Sequence, residues 1–123
     1  MASLRHAALL IAACVFLQFC LTVSAHAAEY APLNCARAAS DAEKAICSDY
    51  ALGQDEARMA TLYALATALV AMGQRGIIQD EQRAFLRERD ACRSDVGCIR
   101  NVYRVRIGQL DAVLSRIVQR GPF

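Results

Sequence analysis

Cys35, Cys47, Cys92 and Cys98 carry the most chemistry in this chain, and their spacing decides which chemistry is open to them. The pairs read Cys35-x11-Cys47 and Cys92-x5-Cys98. A four-cysteine zinc site usually brings its thiolates in closer pairs, C-x2-4-C. A thioredoxin-like redox centre uses C-x-x-C to lower the thiol pKa, and the chain contains none. Both spacings favour disulfides instead, provided the chain reaches an oxidising compartment.

The N-terminus points to such a compartment. "MASLRH" carries Arg5, the apolar run "AALLIAACVFLQFCLTV" follows, and "SAHAAE" supplies the small-x-small end Ala25-His26-Ala27. These are the three parts of a secretory signal peptide. Residues 1–27 therefore read as a signal peptide, cleaved after Ala27 or Ala28, and residues 28–123 as one domain bound for the periplasm or secreted. The apolar run of about 17 residues is at the short edge of what spans a bilayer, so an uncleaved membrane anchor is the alternative, and no membrane span is expected in the mature form. "IAAC", Ile11 to Cys14, has the look of a lipobox. A lipid anchor at Cys14 would leave "VFLQFCLTV" as a greasy tail on the mature protein, and we discount it.

Cleavage would also remove much of the remaining chemistry. His6 and His26, the chain's two histidines, leave with the signal, as do two of its six cysteines, Cys14 and Cys20. What is left has no histidine, no glycine-rich phosphate loop and no cleft-like pair of carboxylates, so neither catalytic residues nor metal or cofactor ligands are expected. The protein does not read as an enzyme. A formal net charge of +2 gives no case for nucleic acid. A mature chain of about 95 residues can bury only a modest core, and small exported domains often add disulfides to make up the deficit.

Helices must position these residues, because strand signals are missing. "SDAE", Ser40 to Glu43, is a capping box, which predicts a first helix over about Asp41 to Ser48. A second is expected from about Ala51 to Met72, where "GQRG" breaks it with two glycines, Gly73 and Gly76. A third covers about Ile78 to Ala91, and Ser94 or Asp95 caps a fourth that runs from about Gly97 to Gln119. Leu52, Met59, Leu62, Ala66 and Leu69 recur at three- and four-residue steps with one gap, and Ile99, Val102, Leu110, Val113 and Ile117 line the fourth helix. Such stripes bury against one another, so the expected fold is all-α: a small disulfide-stapled bundle of about four helices in antiparallel hairpins.

Polar side chains interrupt the stripes. Asp55 falls between Leu52 and Met59, Gln82 and Arg89 share the line of Ile78, Phe85 and Cys92, and Arg106 lies between Tyr103 and Leu110. A buried charge is costly unless paired. Asp55 is therefore expected to meet Arg89 or Arg106, with Gln82 and the Tyr103 hydroxyl completing a buried network that fixes helix register. The alternative is that Arg89 and Arg106 surface at a groove and bind an anionic group.

Four cysteines allow three pairings, and a helical chain favours the local ones. Cys35–Cys47 would tie the N-terminal arm to the first helix, and Cys92–Cys98 would close the turn between the third and fourth. By loop entropy the longer loop contributes roughly 3 kcal/mol and the shorter one less. Arg93, Ser94 and Asp95 then form the charged tip of a stapled turn flanked by Arg87 and Arg100. They either solvate that turn or touch a partner.

Taken in order, "LNCARAASDAEKAICSD" from Leu33, then Asp55, Tyr63, "QRAFLRERDAC" from Gln82 and "CIRNVYRVRIGQL" from Cys98 resemble the lysozyme inhibitor LprI-like N-terminal domain family. These are small exported bacterial domains sharing an ordered run of Cys, Glu, Ile-Cys, Asp, Tyr, Gln, Arg, Cys, Cys, Tyr and Arg-Ile. One departure is Phe85, where the family usually carries tryptophan. The resemblance implies an all-α bundle with two local disulfides. The family takes its name from a mycobacterial lipoprotein member that inhibits lysozyme, and most members have no established activity.

Two functions follow as expectations. The first is a lysozyme inhibitor acting by protein–protein binding through the Arg93–Asp95 tip. The second is a non-inhibitory interaction module for another envelope or secreted protein. Its best feature is "LYALATALVAM", Leu62 to Met72, which is apolar on more than one helical face and either fills the core or forms a partner or dimer patch. The sequence does not indicate an oligomeric state.

Overall fold

The structure, a computed structural model, describes residues 32–121. The expected signal peptide, its expected cleavage point and Cys14 lie outside the described residues. A 3-10 turn over Cys35–Arg37 leads into four helices, α1 (Asp41–Ser48), α2 (Tyr50–Leu69), α3 (Met72–Ala91) and α4 (Val96–Val118). No strand occurs among the described residues. Both local disulfides form, Cys35–Cys47 and Cys92–Cys98, each with its Cα atoms 5.6 Å apart, an ordinary separation for the bond. The fold is the expected all-α stapled bundle.

Short polar side chains start three of the helices. At α1 the Ser40 hydroxyl accepts from Glu43 N at 3.1 Å, while Glu43 Oε2 accepts from Ser40 N at 3.0 Å and Ala39 N at 2.7 Å. This is the capping box, extended by one further backbone donor. Asp49 ends α1 and starts α2 at once, accepting from Leu52 N at 2.9 Å. Asp95, rather than Ser94, caps α4 by accepting from Cys98 N at 2.9 Å.

The α2–α3 junction differs from the sequence reading. The break falls at Val70 and Ala71, and Gly73 and Gly76 lie inside the first two turns of α3. Ala71 offers α3 no side-chain cap. Arg75 instead reaches back, its Nε donating to the Thr67 carbonyl at 2.8 Å and its NH2 to the Val70 carbonyl at 3.4 Å. A helix C-terminus leaves carbonyls without partners and carries partial negative charge. A cation from the next helix satisfies both demands, so the glycines need not end anything.

α2 and α4 share the largest interface, with α3 packed against both and α1 laid across one end. Leu52, Met59, Tyr63 and Ala66 of α2 meet Ile99, Tyr103, Leu110 and Val113 of α4, and Ile78 and Phe85 close the core from α3. The Phe85 and Tyr103 rings meet edge to face with centroids 5.2 Å apart, a geometry their quadrupoles favour. No helix among the described residues is long and apolar enough to cross a membrane.

Candidate functional site

Apart from Thr67, which bonds its own helix backbone, the buried polar residues of the bundle fall into two groups. In the first, Tyr103 on α4 donates its hydroxyl to Glu56 Oε2 at 2.6 Å, and Glu56 Oε1 accepts from Leu33 N at 2.9 Å. One buried carboxylate thus ties α4, α2 and the N-terminal arm together. Burial, then the adjacent Glu56 charge, pushes the Tyr103 hydroxyl far above its ordinary pKa, and Arg89 offsets only part of that. Tyr103 is therefore a neutral donor to a charged acceptor, the stronger kind of hydrogen bond.

Arg89 lies beside this pair. It is 4% exposed, bonds Asp90 Oδ1 through Nε at 3.0 Å and NH2 at 2.8 Å, and approaches Glu43 Oε1 at 3.5 Å. Glu43 is held below the ordinary carboxylate pKa by the backbone donors of Ala39 and Ser40, with Arg89 adding to the effect against the opposing cost of burial. The α1 cap and the α3 arginine are thus one electrostatic unit.

The second group centres on Arg106, which is 1% exposed. Its Nε donates to Gln82 Oε1 at 2.9 Å, NH2 to the Ile78 carbonyl at 2.9 Å, and NH1 to Glu81 Oε2 at 2.9 Å and Gln109 Oε1 at 3.1 Å. Gln82 passes its own amide hydrogen to Met59 Sδ at 3.2 Å. Among the described residues no buried side-chain nitrogen or oxygen lacks a partner.

Gln82, Arg89, Tyr103 and Arg106 are therefore all buried, as expected, but Asp55 is not the carboxylate they surround. Asp55 is half-buried, and the buried acid is its neighbour Glu56. The reason is helix phase. Leu52, Glu56, Met59, Tyr63 and Ala66 alternate steps of four and three and so follow one face, whereas Asp55 falls to its side. Gln82 does bond Arg106 directly. The charged partners of Arg106 and Arg89 are Glu81, Glu43 and Asp90, of which the sequence singled out only Glu43, and that as a helix cap. Nor do the two arginines form an anion groove. The hollow of about 350 Å³ beside Arg89 also presents Glu43 and Asp90, whose carboxylates repel an anion.

The stapled turn is more accessible. Cys92 N donates to the Arg89 carbonyl, Arg93 N to the Asp90 carbonyl and Asp95 N to the Cys92 carbonyl, each at 3.1 Å. Arg93 adopts φ 53°, a left-handed backbone unusual for a residue with a Cβ. Arg93, Ser94 and Asp95 are all exposed. The Asp95 carboxylate is occupied with the α4 cap, so Arg93 and Ser94 are the outward-facing pair. A disulfide and two helix ends hold them in place. With Cys92 and Cys98 bonded to each other, and Cys35 to Cys47, these sulfurs offer no thiolate to a metal. No cluster of three or more potential metal ligands occurs among the described residues.

No family model, no curated protein and no solved structure matches the chain.

Proposed function

We propose that this is an exported helical binding protein whose Cys92–Cys98 turn enters the active-site cleft of a lysozyme. The observation that carries the reading is the display of Arg93: exposed, left-handed in its backbone, and held between the staple and the start of α4. Lysozyme hydrolyses its substrate with a pair of carboxyl groups in a cleft, and a pre-ordered cationic tip suits that charge. A rigid loop loses little entropy on docking, which is how stapled inhibitors gain affinity. The disulfides suit an oxidising compartment and so support export, and the resemblance to the LprI-like family, named for an inhibitory member, supports inhibition. The test is a turbidity assay of lysozyme on bacterial cell walls with the purified mature domain. Inhibition at micromolar concentration supports the reading, and no inhibition of any lysozyme class removes it.

A non-inhibitory interaction module is the second reading. It is favoured by exposed apolar side chains at the other end of the bundle, Leu69, Met72 and Val118. One face of Leu62 to Met72 serves the core, with Tyr63, Ala66 and Thr67 buried and Leu62 and Val70 packed against the core, while Leu65, Leu69 and Met72 are exposed.

A further inference from the structure

The end of the bundle farthest from the stapled turn has an unusual makeup. It is built from the last turns of α2, the start of α3 and the last turns of α4. The contributing stretches, 57–79 and 112–121, contain no aspartate or glutamate. They do contain Arg58, Arg75, Arg116 and Arg120. Arg58 is neutralised by Asp111 at 2.8 Å, and Arg75 is spent on the α2 carbonyls. Arg116 and Arg120 are exposed, and neither is ion-paired among the described residues.

Apolar side chains share this end. Met72 is 83% exposed, Val118 71% and Leu69 59%. A surface hollow of about 170 Å³ brings Leu69 of α2 beside Arg116 and Arg120 of α4. Cations in the last turn of α4 also complement its dipole, but that role does not call for exposed leucine, methionine and valine beside them. Exposed apolar residues beside these two unpaired cations, with the nearby Asp111 carboxylate spent on Arg58, match the chemistry of an anionic lipid surface, where acyl chains take the first and phosphate headgroups the second.

The geometry points to peripheral docking of this end on an anionic membrane surface, with Leu69 and Met72 entering the interface and Arg116 and Arg120 meeting lipid phosphates. α3 runs from Met72 at this end to Ala91 at the other, and a helix of that length spans about 30 Å. The docked bundle would therefore hold the Cys92–Cys98 turn away from the membrane, facing soluble partners. Membrane docking does not depend on lysozyme inhibition.

The experiment is co-sedimentation of the mature protein with vesicles of phosphatidylcholine alone and of phosphatidylcholine with phosphatidylglycerol. Binding to the anionic vesicles, weakened by salt, is expected, with little binding to the neutral ones. Arg116→Gln with Arg120→Gln should weaken it roughly 30-fold, about fivefold for each charge. Met72→Glu should abolish it, and circular dichroism should show both variants folded because all three positions are exposed. Failure of the wild-type protein to bind, equal binding to neutral vesicles, or unchanged binding by the folded variants would overturn the proposal. So would a dimer in sedimentation equilibrium that Met72→Glu dissociates, since a second copy would then cover this end.

Discussion

The Tyr103 hydroxyl donates to Glu56 Oε2 at 2.6 Å, joining α4 to α2 across the largest interface of the bundle. The other Glu56 oxygen accepts from Leu33 N, so the pair also fixes where the N-terminal arm begins. Replacing Glu56 by alanine leaves a buried hydroxyl and a backbone donor without their acceptor. Each such orphan costs about 1–3 kcal/mol. Glu56→Ala should therefore lower the urea-derived stability by several times more than Asp55→Ala, which removes a half-buried carboxylate. Equal losses would place the key carboxylate elsewhere.

Two groups set the pH dependence, in opposite directions. Tyr103 is raised above its ordinary value of 10.0, first by burial and then by Glu56. The folded state holds that proton more tightly than the unfolded chain does. Its contribution is thus complete below pH 10.0 and is lost as pH climbs from there toward the folded value. Glu43 is lowered from 4.5, chiefly by the Ala39 and Ser40 backbone donors. Its contribution is complete above the unfolded value and is lost as pH falls through the folded one. Urea midpoints across pH should show a shallower alkaline limb for Tyr103→Phe and a shallower acid limb for Glu43→Gln. Limbs parallel to wild type would refute both assignments.

Arg106 spends donors on Gln82, Ile78, Glu81 and Gln109 while almost wholly buried. Removing one partner from such a buried network costs about 3–5 kcal/mol. Arg106→Ala should lose stability on that scale, and Arg106→Lys should recover little, because an ammonium lacks the planar fork. Thermal melts of the two variants measure this, and a Lys variant as stable as wild type would contradict it.

Gly76 lies in the second turn of α3, and a Cβ added there meets nothing within 4 Å. Alanine in a helix is favoured over glycine by about 1 kcal/mol. Gly76→Ala should therefore stabilise the protein by that amount in chemical denaturation. Were Gly76 a turn residue, the same change would be neutral or harmful.

Much of this fold was legible in the residues because local chemistry wrote it there. The Ser40–Glu43 capping box and the short cysteine spacings each depend on neighbours in sequence, and each appears where expected. The α2–α3 junction was not legible, because its stop is a long-range contact from Arg75 to carbonyls behind it. Gly73 and Gly76 looked like breakers by type, and no local signal showed that a cation had already done the work. Glu56 was missed for a different reason. Both Asp55 and Glu56 fit a stripe of three- and four-residue steps, and only the alternation through Met59, Tyr63 and Ala66 separates them. One charged partner of Arg89, Glu43, lies on α1, which no periodicity within α3 could supply, and another, Asp90, is its neighbour in sequence on a different helix face.

Arg93 bears most directly on function. Its side chain is exposed and its backbone is held by the turn, so Arg93→Glu should leave the melting temperature nearly unchanged. The decisive measurement is lysozyme inhibition by wild type, Arg93→Glu, and Cys92→Ser with Cys98→Ser, all checked for folding. Strong inhibition by wild type, with a loss of at least tenfold in Arg93→Glu (about 1.4 kcal/mol of binding) and a loss also in the unstapled turn, is the predicted result. Absence of inhibition by wild type, or inhibition indifferent to both changes, would contradict it.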